Sequence, residues 1–229
     1  MTVVWPMVSL LLLAALDSPQ PSRGTTAQLA PADLVLPVPG TPISVEQSEE
    51  RTHTLNNGSS RKETTTVRIY RDSFGRLRIE SPTSVVLIDP VSGYRVNLLT
   101  AQKIAVRLAG PKSGQQGFAI GVGGMGEGLP AGNWKSKTED LGTNVIEGVE
   151  CKGSRTTQTS EDNPPKIATH ERWYSSELKL TALATSSGPN WKHTAKIRIL
   201  DRNEPDASLF GIPSDYKVQD LNLPRPGQQ

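Results

Sequence analysis

The sequence predicts an all-β or β-dominated α+β fold, a curved antiparallel meander sheet or open half-barrel of about ten strands with only short helical turns. Three observations predict it. Apolar and polar residues alternate with period two over much of the chain, turn-forming residues separate the alternating stretches, and helical periodicity is nearly absent. Because period-two alternation places the apolar side chains on one side of a strand, such a sheet has one apolar face.

Five segments carry the clearest alternation, and turn-forming residues stand between them. The apolar members are Val67 and Ile69; Leu77 and Ile79; Ile104, Val106 and Leu108; Leu178, Leu180, Ala182 and Ala184; and Ala195, Ile197 and Ile199. The turns are Asn57-Gly58, Asp72-Ser73-Phe74-Gly75, Asp89-Pro90-Val91-Ser92-Gly93 and Ser187-Gly188-Pro189-Asn190. Single helical turns are predicted at residues 175–178 and 205–210, with Pro205 at the first helical position.

The N-terminal segment reads as an export signal. Residues 8–16 form an apolar run that is shorter than the ~20 residues needed to span a bilayer. Prolines and the small-residue sequence Thr25-Thr26-Ala27 follow, although no Lys or Arg precedes the run. We therefore predict a signal peptide over residues 1–27 and a periplasmic or extracellular location. No transmembrane segment is predicted in the mature chain.

The remaining chain divides by composition into three further parts. Residues 28–42 carry four prolines and predict an extended linker. Residues 43–220 form a single β-rich domain, long enough to bury one sizeable core. Residues 221–229 are predicted to be a flexible C-terminal tail.

Charge and cysteine content exclude several classes of function. The formal net charge is +2, too balanced for the clustered basic surface that nucleic-acid binding requires. The single cysteine, Cys151, excludes an internal disulfide framework and a thiolate zinc cluster. It shares a side of the extended chain with Val149, which predicts a small buried hydrophobe. Pairing of Cys151 between two chains stays open.

The glycine-rich stretch at residues 117–130 contains Gly121, Gly123 and Gly126 in a G-x-G-x-x-G spacing. A dinucleotide site needs a helix after this turn, and residues 127–133 contain glycine and proline instead. We therefore predict no nucleotide cofactor. The stretch is either a surface loop or an apolar flap over a cavity. The flap candidates are Phe118, Ile120, Val122, Met125 and Leu129.

Catalytic and metal-binding signatures are missing from the sequence. It contains no G-x-S-x-G elbow and no H-E-x-x-H helix, and His53, His170 and His193 lack the spacing of metal ligands. We therefore predict no enzymatic activity, no metal and no cofactor. A hydrolase remains an alternative that requires His170, His193 and an acid within hydrogen-bonding reach.

Many cations occupy strand positions that alternation predicts to face outward. Such a row is either a solvated sheet face or a site for anionic headgroups or polysaccharide. The residues are Arg68, Arg76, Arg78, Arg95, Lys103, Arg107, Lys196 and Arg198.

Several spaced blocks of residues form a pattern from position 70 onward. The blocks are Tyr70-Arg71-Asp72-Ser73 with Gly75, Arg76, Arg78 and Glu80; Asp89-Pro90; Gly148-Val149 with Cys151, Gly153 and Arg155; Trp173-Tyr174-Ser175 with Glu177-Leu178; and Glu204-Pro205-Asp206, Ser208-Leu209-Phe210, Ile212-Pro213 and Asp215-Tyr216. Together they resemble a group of exported bacterial proteins whose β-rich layout is similar to the lipoprotein-carrier (LolA-like) superfamily. The resemblance implies a curved sheet whose concave face holds acyl chains or a hydrophobic peptide. The carriers cover their sheet with helices, which the proline-broken residues 28–42 do not supply.

Together these observations predict a non-catalytic exported binding protein with a hydrophobic or amphiphilic ligand, such as a lipid or hydrophobic peptide, on the concave sheet face. The alternative is a structural or protein-interaction module of the cell envelope that binds a protein partner and no small ligand.

Overall fold

The computed structural model describes Val35, residues 37–110 and residues 133–221. The predicted signal peptide, the glycine-rich stretch and the five flap candidates lie outside the described residues. So do residues 222–229 of the predicted tail.

Twelve strands and one short 3-10 helix make up the regular structure of the described residues. The strands are β1 (Ile43–Thr54), β2 (Ser60–Arg71), β3 (Leu77–Glu80), β4 (Val85–Asp89), β5 (Tyr94–Leu99), β6 (Ile104–Ala109), β7 (Trp134–Ile146), β8 (Val149–Ser160), β9 (Ile167–Ser175), β10 (Leu180–Gly188), β11 (Trp191–Asp201) and β12 (Lys217–Asp220). The 3-10 helix spans Ala207–Phe210.

All twelve strands belong to one open, curved sheet in the order β12-β6-β5-β4-β3-β2-β1-β11-β10-β9-β8-β7. Most neighbours in the sheet are consecutive in the chain, as a meander requires. Every pair is antiparallel except β12 and β6, which are parallel. The predicted fold class is confirmed, with twelve strands in place of about ten.

One face of the sheet, called the inner face below, carries the larger core cluster. It includes Val45 on β1, Ile69 on β2, Ile79 on β3, Val86 on β4 and Ile197 on β11, all nearly inaccessible to water. Residues paired in register share a face, so these side chains form one continuous apolar layer across neighbouring strands. Burial of this layer is the main favourable term for a sheet of this kind.

The opposite, outer face has an apolar cluster of its own over β4, β5 and β6. Val85, Leu87, Val96, Leu98 and Ala105 are buried there. Ile212 and Tyr216 pack against them. Both residues belong to residues 202–221, called the C-terminal strap below, which runs from the end of β11 to β12 at the far edge of the sheet. Strand β4 is therefore buried on both faces.

Ion pairs and hydrogen bonds fasten the strap to the sheet at both ends. Near its start, the backbone N–H of Ser73 donates to Glu204 at 3.0 Å, and Arg78 Nη1 donates to the Leu209 carbonyl at 3.0 Å. Near its end, Arg107 forms a bidentate salt bridge with Asp220, in which Nε and Nη2 donate to the two carboxylate oxygens at 2.7 and 3.0 Å. The first and last blocks of the sequence resemblance, residues 70–80 and 204–216, are therefore in contact, and their hydrogen bonds attach the strap to the sheet.

The predicted turns are present, but the predicted helical turns differ in detail. The four hairpin turns occupy the predicted positions between strands. Residues 176–179 form a non-helical turn after Ser175, so Leu178 precedes β10 and is not part of it. At the second position, Asp206 caps the 3-10 helix by accepting from the Ser208 N–H at 2.8 Å. Because the Asp206 side chain caps the helix, the first helical residue is Ala207 and not Pro205.

The described part of residues 28–42, which is predicted from its prolines to be an extended linker, contacts the sheet. Val35 bridges Leu180 and belongs to the inner core cluster. Gly40 N–H donates to the Ser73 carbonyl at 2.9 Å, and Arg71 Nε donates to the Thr41 carbonyl at 2.7 Å. These contacts place this stretch against the end of β2.

Cys151 is buried with 1% of its surface exposed, next to Val149 in the same cluster. Burial raises the pKa of its thiol, with the charge of Glu150 adding to the effect. The prediction of a small buried hydrophobe is confirmed, and a thiol in this position is poorly placed to react with another chain.

Candidate functional site

The inner face contains a cavity of about 460 Å³ over β1, β2, β4 and β5, with the loop 81–84 at its rim. Its floor includes the apolar side chains of Val67, Val86 and Leu99. Val67 and Val86 are largely buried, whereas Leu99 is 39% exposed. The volume lies in the range of small-molecule sites, which typically measure ~300–1,000 Å³ and are mostly apolar.

The apolar floor continues past the cavity onto β6. Ile104, Val106 and Leu108 stand opposite Leu99, Asn97 and Arg95 in register, so they share the inner face. All three are only partly buried. Among the described residues, this face therefore presents a partly exposed apolar strip beside the cavity, and the predicted alternation of β6 is confirmed.

Arg95 is the positively charged group in the cavity lining. Its cross-strand neighbours on the inner face are Ile88 on β4 and Leu108 on β6, both apolar. Its Nε donates to Oδ1 of Asn97 at 3.2 Å. Burial lowers the pKa of the Arg95 guanidinium. Within the described residues it has no carboxylate partner.

Strand alternation predicts that Arg95 faces outward with the other cations, but the structure places it on the inner face. Val96 and Leu98 on the same strand face the strap, so the strand turns its apolar side outward and Arg95 inward. Several cations on the outer face, in contrast to Arg95, form ion pairs with acidic side chains. The pairs are Arg76–Asp72, Arg78–Glu80, Lys103–Asp215, Arg107–Asp220 and Arg198–Glu46.

Glu49 is the acidic group in the same lining, and it is already engaged. Gln47 Nε2 donates to it at 2.7 Å and Arg51 Nη2 at 3.2 Å. His193 Nε2 lies 3.5 Å from the second carboxylate oxygen. The residue is 9% exposed, so this network satisfies a buried charge.

A row of polar side chains continues from Glu49 across the inner face. Its members are paired in register from β1 to β7, namely Arg51, His193, Ser186, His170, Thr156 and Thr138. His170 Nδ1 and Ser186 Oγ are 2.7 Å apart. The topology thus brings together two histidines that are 23 positions apart in the chain.

This row does not complete a catalytic triad in the described residues. A nucleophile-and-base pair needs an acid that orients the same histidine. Here the serine contacts His170, whereas the acid lies beside His193. Ser186 therefore contacts one histidine and Glu49 lies beside the other, so no single histidine has both a serine and an acid as neighbours in this row. The described residues also contain no cluster of three or more metal-ligating side chains.

We expect His170 to make the protein less stable in mild acid. Burial lowers the pKa of His170 below 6.5, and the charges of Arg172 and His193 add to this. The unfolded chain therefore takes up this proton first, so stability present above pH ~6.5 is lost as the pH falls towards the folded-state pKa. His170→Gln should lose less stability between pH 7 and 5 than the wild type, measured by urea unfolding. Equal losses would contradict this assignment.

The five flap candidates predicted from sequence fall outside what the structure describes. Arg95 was predicted among the outward-facing cations, but its place in an inner-face cavity was missed because it depends on which face of β5 is inward. A weak signal was available, since Val96 and Leu98 leave Arg95 and Asn97 together on the other side of the strand.

Among the described residues, none forms a helix with the length and apolar character that a bilayer crossing requires.

Comparison with known proteins finds similar solved structures but no sequence match. No protein-family model and no curated protein sequence matches the chain. The solved structures similar to the chain include a LolA superfamily protein and a lipoprotein-sorting domain. An outer membrane lipoprotein-sorting protein domain from Vibrio parahaemolyticus shares 10% identity at a TM-score of 0.29, over 73% of this chain and 89% of the other.

Two further structures are similar at comparable levels. A LolA superfamily protein from Nitrosomonas europaea shares 6% identity at a TM-score of 0.27, over 78% of this chain and 92% of that one. MucB in complex with MucA(peri) shares 13% identity at a TM-score of 0.33, over 78% of this chain. The match covers 57% of the MucB chain, so this chain spans little more than half of that protein.

Proposed function

We propose that this protein is a non-catalytic, exported binding protein that holds a hydrophobic or amphiphilic ligand in the inner-face cavity. The cavity of about 460 Å³ with its apolar floor carries the proposal. An apolar cavity of this size, as seen in the described residues, is typical of a ligand-binding site. The apolar run at residues 8–16 followed by Thr25-Thr26-Ala27 supports export to the periplasm or the extracellular space.

The shape of the site favours a ligand with one apolar chain. Val67, Val86 and Leu99 supply an apolar floor, and the half-buried side chains of β6 extend it towards the sheet edge. Each ligand methylene group that is buried there contributes about 0.8 kcal/mol. A flexible acyl chain can follow the curved strip, whereas a rigid planar ligand cannot.

The matched pair Thr65→Trp and Thr64→Trp tests this function. Both threonines are exposed on β2, but Thr65 lines the cavity and Thr64 faces the other way. An indole at position 65 fills part of the cavity and excludes two or more ligand methylene groups. We expect Thr65→Trp to bind dansyl-labelled undecanoic acid about 10-fold more weakly than the wild type. Thr64→Trp should bind it normally, measured by dansyl fluorescence with direct excitation.

Absence of fluorescent-acid binding to the wild type would contradict the proposal. In that case, stable protein partners recovered from an envelope extract would favour the alternative, an interaction module of the cell envelope. Equal binding by both tryptophan variants would place the ligand somewhere other than the inner-face cavity.

A further inference from the structure

We propose that Arg95 binds the carboxylate of a single-chain fatty acid whose acyl chain lies on the apolar inner face. This inference rests on the proposed function and adds the chemical class of the ligand and the residue that recognises it. It makes Arg95 the specificity-determining group of the cavity.

Within the described residues, the charge of Arg95 has no protein counter-ion. The side chains on either side of it across the sheet are Ile88 and Leu108, and Asn97 accepts from its Nε. No carboxylate of the described residues pairs with it. A partly buried guanidinium normally has an acidic partner, because removing a charge from water is costly without one. An anionic ligand supplies that partner.

The geometry of the guanidinium favours a carboxylate. Its Nε edge is used by Asn97, which leaves the edge formed by the two terminal nitrogens. Two parallel N–H donors on that edge match the two oxygens of a carboxylate. A phosphate would bring a second negative charge into a cavity that also contains Glu49. The same lining therefore disfavours a doubly charged headgroup.

The apolar floor lies where the chain of such a ligand would need it. From Arg95 to Leu99, β5 covers about 13 Å at ~3.3 Å per residue. Over this distance Leu99 and the facing Ile104 and Val106 line the inner face. A ligand anchored at Arg95 can therefore lay its chain along β5 and β6 towards Leu99.

The test compares dodecanoate, methyl dodecanoate and dodecyl phosphate as competitors for dansyl-labelled undecanoic acid. We expect the wild type to bind dodecanoate about 10-fold more tightly than its methyl ester, since a charge-assisted hydrogen-bond pair contributes at least that factor. Arg95→Gln should lose this preference while it keeps the affinity for the ester. Arg68→Gln removes an exposed outer-face arginine and is the matched control, with no expected change.

The possible outcomes distinguish a failure of the Arg95 assignment from a failure of the proposed binding function. Retained ester binding by Arg95→Gln shows that the cavity is intact, so a loss confined to dodecanoate supports the inference. Unchanged dodecanoate preference in Arg95→Gln would overturn it and leave the proposed function standing. Tighter binding of dodecyl phosphate than of dodecanoate would overturn the carboxylate assignment. Failure of the wild type to bind either dodecanoate or its ester would reject the proposed function itself.

Discussion

Replacing Arg71 with methionine is expected to lower the free energy of unfolding by roughly 3–5 kcal/mol. Arg71 lies at the end of β2 with 0% of its surface exposed. Its guanidinium donates to the backbone carbonyls of Thr41 at 2.7 Å, Leu178 at 2.6 Å and Lys179 at 3.3 Å. Burial lowers the pKa of Arg71 to about 10, so it stays charged at neutral pH.

The size of this effect follows from the acceptors that the mutation leaves behind. Methionine fills a similar apolar volume, but one buried and two partly buried carbonyls lose a donor, and a buried unsatisfied group costs about 1–3 kcal/mol. The change also releases the segment before β1 from the turn before β10. Urea unfolding monitored by circular dichroism measures it. The control is Arg68→Met, at an exposed position three residues earlier, with an expected change within about 0.5 kcal/mol. Equal effects of both mutations would contradict a structural role for Arg71.

Gly75→Ala is expected to destabilise the protein by roughly 2–4 kcal/mol. Gly75 has a φ of +81° in the turn between β2 and β3, which costs any residue with a Cβ atom. A Cβ atom there would also lie 2.8 Å from the Val38 carbonyl carbon and 2.9 Å from the Pro39 nitrogen. Both are backbone atoms, so the contact cannot be relieved by a side-chain rotation.

Gly58→Ala is the control that separates backbone strain from the clash. Gly58 has nearly the same φ, +80°, in the turn between β1 and β2, and no atom lies within 4 Å of its Cβ position. It should cost roughly 1 kcal/mol from conformation alone. Thermal unfolding of both variants gives the comparison. A Gly75→Ala effect no larger than that of Gly58→Ala would contradict the close packing of residues 38–39 on this turn.

Sequence alternation predicted the strands that have one buried face. Val67 and Ile69, and Leu77 and Ile79, lie on the inner face as expected, because one apolar side and one polar side determine which way a strand faces. Turn residues between them specify antiparallel neighbours, so a meander followed from local chemistry. The inner face of the sheet was therefore predictable from these residues.

The outer cluster and the strap could not be predicted in the same way. The first four residues of β4 are buried, so this strand shows no alternation from which a face could be inferred. Strand β12 pairs with β6 across more than 100 residues of chain, and its four residues are all exposed. The side of β5 on which Arg95 lies depends on the strap, because Ile212 and Tyr216 pack against the cluster that contains Val96 and Leu98. The most informative residue of the candidate site was for that reason assigned to the wrong face.

Strand β7 and much of β8 illustrate a second limit. The thirteen residues of β7 are mostly polar and exposed, and the first half of β7 pairs with the equally polar second half of β8. Their regular pairing owes more to backbone hydrogen bonds and threonine-rich cross-strand contacts than to an apolar face. The polar row that ends at Thr138 is invisible in sequence because it exists only when six strands are in register.

Methyl NMR with dodecanoate tests most directly whether the inner face of the sheet is the ligand-binding surface. Adjacent residues of the same strands report on the two faces, since Val86 and Leu99 line the cavity whereas Val85 and Leu98 lie under the strap. Dodecanoate should shift the methyl resonances of Val86 and Leu99 and leave those of Val85 and Leu98 in place. Shifts confined to the outer pair, or no shifts at saturating dodecanoate, would contradict a ligand on the inner face.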